Sequence, residues 1–179
     1  MTPKSIMKIF RETAYVRMGG SAEELQTAQY LAKKCEELGV TATIEPFQVD
    51  MATMEKATLP VDGKEIPCKG YLNAGSHEVE APRYYLAGKD KYALEGCRGK
   101  IVLFDGYMGY WMYQDLLENG AVGFITYDGN ANYADRDIDQ RELREFVHKG
   151  NKLLGVNINA KDAIELVKSG AQTAVITLE

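Results

Sequence analysis

Residues 99–129 read GKIVLFDGYMGYWMYQDLLENGAVGFITYDG and contain two apolar runs on either side of an amphipathic segment. The first run, Lys100–Phe104, is short and rich in β-branched residues, which predicts a buried strand followed by a turn at Asp105-Gly106. Aromatic and leucine residues then recur at helical spacing until Asn119-Gly120, a pair that ends helices. Ala121–Tyr127 is the second apolar run. A strand, a helix and a strand in so short a stretch predict a parallel pair joined by a right-handed crossover.

The composition is that of an ordinary globular chain. With 179 residues, of which 45% are hydrophobic and 26% charged, the chain can bury a core as one domain or one domain with an appendage. A net charge of -5 without a basic stripe disfavours nucleic acid as a partner. No apolar run approaches the length of a membrane span, and MTPKSIMKIF lacks the features of a secretory signal. Cys35, Cys68 and Cys97 show no CxxC spacing, so we expect reduced thiols in a cytoplasmic protein.

A strongly marked helix is predicted to begin at Ser21. Ser21 and Glu24 form the capping-box pattern, in which each side chain accepts a hydrogen bond from an otherwise unpaired backbone amide. Apolar residues line one face as far as Leu38, and Gly39 is placed to cap the end. A shorter helix is predicted over Pro3–Val16.

Further strands and helices are predicted along the rest of the chain. Val40–Val49 alternates like a strand, and Pro46 places this strand at a sheet edge or a bulge. Asp62-Gly63, between two short apolar runs, predicts a tight hairpin. The remaining predicted elements are strands at Tyr84–Ala87, Leu154–Ile158 and Thr173–Leu178, a helix capped by Asn159 and ended by Gly170, and a short helix within Asp139–His148.

Two stretches of the sequence resemble known families. Residues 99–129, with a GKIVL strand, a helix that ends before Gly-Ala and a GFI strand, resemble the core of the protease-associated domain. Residues 17–47, RMGGSAEELQTAQYLAKKCEELGVTATIEPF, are similar to the opening of the zinc aminopeptidases related to transferrin receptor and glutamate carboxypeptidase. In that family a protease-associated domain follows this opening, which is the order found here. The matching positions in the opening are Arg17, Gly20, Ser21, Tyr30, Leu31, Leu38, Gly39 and Phe47.

The resemblance implies a fold and a domain division. The fold would be α/β, with a protease-associated domain over residues 51–179. Such a domain is of the swivelling β/β/α type, a small sheet-rich barrel with flanking helices. Residues 1–50 would form a helical arm and the first strand of a peptidase domain. We expect the apolar face of this arm, including Leu25, Ala28 and Ala32, to be partly exposed or covered by a second copy, which would give a homodimer.

The resemblance also implies a function for the parent protein, namely release of N-terminal residues from peptides by two zinc ions. Paired metal ions need convergent carboxylates and imidazoles. The sequence has only His77 and His148 and no His-x-Asp pair, so we expect no cofactor in this chain and two zinc ions in a catalytic domain beyond Glu179. The chain would then be a non-catalytic, substrate-gating lid, with the catalytic domain in cis and the peptide substrate as partners. The alternative is a free-standing protein- or peptide-binding module.

An aromatic cluster at the strand-to-helix junction is the candidate contact surface for a peptide or partner. It comprises Tyr107, Tyr110, Trp111 and Tyr113, and Trp111 is the only tryptophan. Helical periodicity favours packing of Tyr110 and Tyr113 on the sheet, which is the competing interpretation. Trp111 is rotated by about 100° from Tyr110 around the helix, so Trp111 and Tyr107 are expected to face outward. Amphipathic aromatic residues in that position are enriched in interfaces.

Two other motif-like patterns fail on their spacing. Asp135, Asp137 and Asp139 resemble the start of a calcium loop, but Gln140 stands where a glycine is required and no glutamate closes the loop. Gly96–Lys100 lacks the hydroxyl residue and the glycine spacing of a phosphate loop. These patterns predict a solvated loop and no nucleotide site.

Overall fold

The computed structural model describes residues 2–48, 51–128, 138–150 and 152–179. The chain divides into two compact units, which we call the arm unit, Met1–Met51, and the sheet unit, Ala52–Glu179. In the described ranges, no helix is long and apolar enough to cross a membrane.

The arm unit contains helices α1 (Pro3–Glu12) and α2 (Ala22–Glu37). The hydroxyl of Ser21 accepts a hydrogen bond from the backbone amide of Glu24 at 3.2 Å, as the capping pattern predicts. In a capping box the Glu24 side chain would accept a hydrogen bond from the backbone amide of Ser21. Here the Glu24 carboxylate accepts instead from the backbone amide of Gly20, at 2.6 Å. Exposed apolar side chains are present on both helices, as expected for the apolar face of the arm; they include Phe10, Leu25 and Leu31.

Two predicted elements of the arm unit differ from the structure. Helix α1 ends at Glu12 instead of Val16, and the hydroxyl of Thr13 bonds back to the carbonyl of Ile9 at 3.0 Å. Residues 40–48 of the predicted strand Val40–Val49 form no strand, and Val49 itself lies outside the described residues. Alternating side chains alone do not make a strand, because the backbone also needs a hydrogen-bonded neighbour.

The sheet unit contains nine strands and four helices among its described residues. The strands are β1 (Ala57–Thr58), β2 (Pro60–Val61), β3 (Lys64–Glu65), β4 (Cys68–Gly70), β5 (Glu78–Leu86), β6 (Ile101–Phe104), β7 (Gly123–Asp128), β8 (Leu154–Asn159) and β9 (Thr173–Leu178). Their order across the sheet is β3-β2-β9-β5-β6-β7-β8-β4, and β1 also pairs with β9. The helices are α3 (Lys91–Glu95), α4 (Tyr110–Glu118), α5 (Glu145–His148) and α6 (Ala160–Ser169).

Strands β5 to β8 form a parallel centre, and the flanking pairs are antiparallel. The predicted parallel pair around α4 is confirmed, since Ile101 of β6 stands opposite Gly123 of β7. Strand β5 is longer than the predicted strand Tyr84–Ala87. Its first half, Glu78–Pro82, pairs with β9, and its second half, Arg83–Leu86, pairs with β6. This one strand therefore joins the parallel and antiparallel parts of the sheet.

The centre of the sheet, at β6, is buried on both faces. All four residues of β6 are buried, and their side chains alternate between two cores. Ile101 and Leu103 belong to the core that also contains Leu166 of α6. Val102 and Phe104 belong to the core that also contains Leu116 of α4. The sheet unit is therefore an α/β structure with helices packed against each face.

The predicted turns and caps of the sheet unit are confirmed at three places. Asp62 and Gly63 have φ values of 46° and 81°, the left-handed geometry of a tight hairpin between β2 and β3. The side chain of Asn159 accepts a hydrogen bond from the backbone amide of Lys161 and begins α6, which Gly170 ends in the left-handed conformation. Of the short helix predicted within Asp139–His148, only Glu145–His148 is helical.

Candidate functional site

The candidate site lies where the central parallel strand β6 ends. Residues 105–109 leave the carboxyl end of β6 at Phe104 and lead into α4 at Tyr110. In open α/β sheets the carboxyl ends of parallel strands are the usual place for ligands, because the connections open there toward solvent. Three of the four predicted contact residues occupy this loop or the first turn of α4.

The structure separates the four aromatic residues into surface and core. Tyr107 and Trp111 are 63% and 78% exposed, and Tyr110 is half-buried. Tyr113 is fully buried, with its ring against Phe124 at 6.4 Å between centroids. Its burial removes Tyr113 from the candidate contact surface. The reason is helical geometry, because Tyr113 lies on the same face of α4 as the buried Leu116.

Two cationic side chains lie close to the aromatic rings of Tyr107 and Tyr110. The Lys149 ammonium donates a hydrogen bond to the Tyr110 hydroxyl at 2.9 Å and lies 4.8 Å from the centroid of that ring. The guanidinium of Arg141 lies 5.9 Å from the centroid of the Tyr107 ring. The Tyr110 ring in turn meets Trp111 edge to face, at 5.1 Å between centroids. We call Tyr107, Tyr110, Trp111, Arg141 and Lys149 the aromatic–cation surface.

A buried hydrogen-bond chain leads from Arg141 into the sheet. Arg141 donates to the hydroxyl of Tyr71 at 3.2 Å, and this hydroxyl lies 2.8 Å from that of Thr126. Thr126 donates to Oδ1 of Asn157 at 2.8 Å, and Nδ2 of Asn157 donates to the carbonyl of Asp139 at 3.1 Å. Because Thr126 uses its proton on Asn157, Tyr71 must be the donor to Thr126. In each of these hydrogen bonds the donor therefore lies on the Arg141 side and the acceptor on the Asp139 side.

Burial disfavours the charged form of three tyrosines in the sheet unit. It raises the pKa of Tyr71, and it raises the pKa of Tyr113, whose hydroxyl accepts a hydrogen bond from the Leu153 amide at 2.8 Å. Burial and the neighbouring Asp105 carboxylate raise the pKa of Tyr127, on β7, to about 12. These hydroxyls therefore serve as neutral hydrogen-bonding groups near neutral pH.

Sequence reasoning missed both cations of the surface. Arg141 and Lys149 follow Trp111 by about thirty to forty residues, and neither belongs to a motif with it. The short helix predicted within Asp139–His148 is the only sequence-based expectation near these two residues. The approach of Lys149 to Tyr110 depends on the packing of α5 against α4, which local periodicity does not encode.

A mainly apolar slot lies on the opposite face of the sheet. It has a volume of about 160 Å³ and is bounded by two tyrosine rings from the sheet and by the last turns of α6. Its main lining residues are Tyr85, Leu103, Tyr127, Ile164 and Val167, with Lys168 at the rim. None of the four predicted contact residues reaches it.

The described residues do not fit a zinc site. Within residues 2–48, 51–128, 138–150 and 152–179, no three side chains of the His, Cys, Asp or Glu types come together as metal ligands. His77 is exposed, whereas His148 is buried and its Nδ1 accepts a hydrogen bond from the backbone amide of Gly150. Burial raises the pKa of the Cys68 thiol to about 11, which disfavours the thiolate that metals bind. Asp135 and Asp137 of the calcium-like pattern lie outside the described residues.

The fold is found in several solved structures of peptidases. A zinc aminopeptidase from Bacillus subtilis matches 97% of this chain with a TM-score of 0.68 and 21% identity. A peptidase M28 precursor from Shewanella amazonensis matches 97% with a TM-score of 0.65 and 16% identity. A subtilisin-like protease from Pseudoalteromonas sp. AS-11 matches 69% with a TM-score of 0.52 and 12% identity. No protein-family model and no curated protein matches the sequence.

These likenesses define a class of fold. The chain covers 42% of the Bacillus subtilis enzyme, 45% of the Shewanella amazonensis protein and 33% of the subtilisin-like protease. It therefore spans less than half the length of each of these three structures. Nearly all of this chain has the fold of one segment of zinc aminopeptidases.

Proposed function

We propose that this chain is the non-catalytic segment of a zinc aminopeptidase that covers the active site and limits access of peptides. The observation that carries the proposal is a difference in coverage. Of this chain, 97% matches a zinc aminopeptidase, but the match covers only 42% of that enzyme. The catalytic domain in cis would supply both zinc ions and the reaction. This chain would contribute binding and exclusion, because its described residues do not fit a metal site.

We assign the sheet unit to the protease-associated domain. Its GKIVL strand, α4 and GFI strand form the parallel pair that this resemblance requires. The likeness to a subtilisin-like protease supports the assignment, since subtilisin chemistry uses a serine triad and zinc peptidases use a metal-bound water. Because the fold occurs in proteases with two different catalytic mechanisms, a role in controlling substrate access suits it better than a role in either reaction.

The aromatic–cation surface is the part of the sheet unit that we propose contacts the peptide or the catalytic domain. Tyr107 and Trp111 are exposed although both side chains are large and largely apolar. Aromatic residues combine apolar area with few rotatable bonds, which makes them effective anchors in interfaces. Tyr113 would hold this surface in place from the core instead of contacting the partner.

A chimeric enzyme tests the proposed function. The matching segment of the Bacillus subtilis zinc aminopeptidase would be replaced by residues 1–179. Hydrolysis would be measured on an aminoacyl p-nitroanilide, a tripeptide and a dodecapeptide. We expect the chimera to cleave the small reporter, and its ratio of kcat/KM for the dodecapeptide to the tripeptide to change from that of the parent. Deletion of the segment should remove the discrimination by length.

The isolated chain tests whether this segment is non-catalytic, and the chimera tests whether it gates access. Residues 1–179 with added zinc should not hydrolyse aminoacyl reporters under the proposal. Zinc-dependent turnover that remains through repurification would overturn it. If the chimera folds but treats short and long peptides as the parent does, the gating role is wrong. In that case a free-standing binding module becomes the better interpretation of the same surface.

A further inference from the structure

We infer that Lys149 is a carboxylate contact and that the aromatic–cation surface therefore selects peptides with acidic side chains. The inference rests on the proposed function, because it names the class of peptide that this surface would take. It depends on three observations, namely the fixed backbone at Lys149, the uncommitted hydrogen-bonding capacity of its ammonium, and the aromatic rings beside it.

The backbone holds Lys149 in an unusual conformation. Lys149 has φ 45° and ψ 41°, in the left-handed region that side chains other than glycine and asparagine seldom occupy. Its amide bonds to the Glu145 carbonyl at 2.9 Å, and the next residue, Gly150, donates to Nδ1 of His148 at 3.0 Å. Lys149 is the C-cap residue of α5, where left-handed residues are common, so the end of the helix fixes the backbone from which the lysine side chain leaves.

The ammonium of Lys149 has donors to spare. It can donate three hydrogen bonds, and among the described residues it donates one, to the hydroxyl of Tyr110. Among the ion pairs of the described residues, none includes Lys149. Tyr110 holds the ammonium beside its own ring, so part of the entropy cost of ordering the lysine is met before a ligand arrives.

A carboxylate side chain is the occupant that this arrangement fits. Hydrogen bonds from an ammonium to a carboxylate are charge-assisted and stronger than those to an amide. Trp111 lies next to Tyr110 and offers apolar area to the methylene groups of a glutamate or aspartate. The whole chain is negative, at -5, so the preference would arise from these local groups.

Emission from Trp111, the only tryptophan, provides the binding assay. The probes would be three blocked peptides of equal length, each with a central phenylalanine flanked by two glutamates, two glutamines or two lysines. Blocked ends remove the terminal carboxylate as a source of the signal. At 0.15 M salt, where charges more than about 8 Å apart are screened, we expect the glutamate peptide to bind about fivefold more tightly than the glutamine peptide.

Two variants make the assay specific. Lys149→Gln should bind the glutamate and glutamine peptides equally. Lys161→Gln, an exposed lysine of α6, is the matched control and should keep the full preference. Retention of the preference in Lys149→Gln would overturn the inference.

The assay also distinguishes this inference from the proposed function. Equal affinity of the unmodified chain for glutamate and glutamine peptides would overturn acid selection and leave the peptide contact intact. Absence of any emission change would overturn the selection as well. The gating role would then be judged by the chimeric enzyme, whose length discrimination does not depend on the charge of the peptide.

Discussion

The hydroxyl of Tyr71 lies 2.8 Å from the hydroxyl of Thr126, and both residues are completely shielded from solvent. Tyr71 follows β4 at the sheet edge, whereas Thr126 lies in the central strand β7, so this contact ties the edge of the sheet to its parallel centre. The same hydroxyl accepts the hydrogen bond from Arg141 of the aromatic–cation surface. The hydroxyl oxygen of Tyr71 thus connects the buried core of the sheet unit with the aromatic–cation surface.

Removal of the Tyr71 hydroxyl should destabilise the sheet unit. In Tyr71→Phe the ring remains but Thr126 loses a donor and Arg141 loses an acceptor, so we expect a loss of about 1–3 kcal/mol in the free energy of unfolding. Urea denaturation followed by circular dichroism measures the loss. Tyr92→Phe is the control, because Tyr92 is exposed and should leave stability unchanged. A Tyr71→Phe variant as stable as the parent would contradict the role of the hydrogen-bond chain.

Trp111 and Tyr113 should respond differently to truncation although they lie two residues apart. Trp111→Ala removes an exposed ring and should change the free energy of unfolding by less than about 0.5 kcal/mol. Tyr113→Ala empties a fully buried position and should cost about 3–5 kcal/mol. Denaturant melts of both variants and the parent, run under the same conditions, measure these changes in the free energy of unfolding. A loss of several kcal/mol in Trp111→Ala would assign that residue to the core and remove it from the contact surface.

Gly155 should tolerate no side chain. It stands opposite Phe124 in the ladder between β7 and β8, and an added Cβ atom would lie 2.0 Å from Cζ of that ring. We expect Gly155→Ala to lose about 1–3 kcal/mol or more through overpacking, and Phe124→Leu in the same chain to restore part of it. Gly109→Ser is the control, because the space at Gly109 is open and α4 has no side-chain cap there. Equal stability of Gly155→Ala and the parent would disprove the steric argument.

Acid should weaken the hairpin between β2 and β3. Hydrogen bonds from the backbone amides of Thr173 and Gln172 lower the pKa of Asp62 below its ordinary value of 3.8. Because the folded-state pKa is the lower one, the carboxylate contributes stability above pH 3.8, and this contribution is lost as pH falls through the folded-state pKa. Asp62→Asn cannot titrate, so its unfolding free energy should fall less steeply between pH 5 and pH 2 in urea melts. Identical pH profiles for the two proteins would refute the assignment.

The arm unit should associate through its exposed apolar side chains. We expect residues 1–179 to form a dimer at high concentration, because exposed apolar patches such as those around Phe10 and Leu25 tend to become interfaces. Sedimentation velocity over a concentration series measures this. Phe10→Glu should shift the equilibrium to monomer, whereas Lys8→Gln on the same helix should not. A protein that stays monomeric throughout the series would exclude the homodimer.

Local sequence patterns predict the centre of the sheet unit well, for a physical reason. Strands β6 and β7 are buried on both faces, so each appears as a continuous apolar run that needs no knowledge of its neighbours. Helix ends are equally local, since Ser21 and Asn159 cap the helices that begin beside them. These features depend on residues close together in the sequence.

The features that sequence reasoning missed depend on distant contacts. Val40–Val49 has the alternation of a strand, but no neighbour pairs with its described residues. Strand β5 begins at Glu78, well before the predicted Tyr84, because β9 pairs with its charged first half. The approach of Lys149 to Tyr110 likewise depends on two helices far apart in the chain. The aromatic residues of the aromatic–cation surface are therefore predictable from local sequence, whereas its two cationic residues are not.

The position of β9 has a consequence for how the sheet unit is made in the cell. Strand β9 lies between β2 and β5 and also pairs with β1, where Ala57 stands opposite Leu178. During translation, β1 and β2 leave the ribosome about 120 residues before the strand that completes their hydrogen bonds. The parallel strands β5 to β8 can assemble earlier, because their connections are shorter. The antiparallel part should thus form last, and a ribosome stalled before Thr173 would hold a chain with β1 and β2 still unpaired from β9.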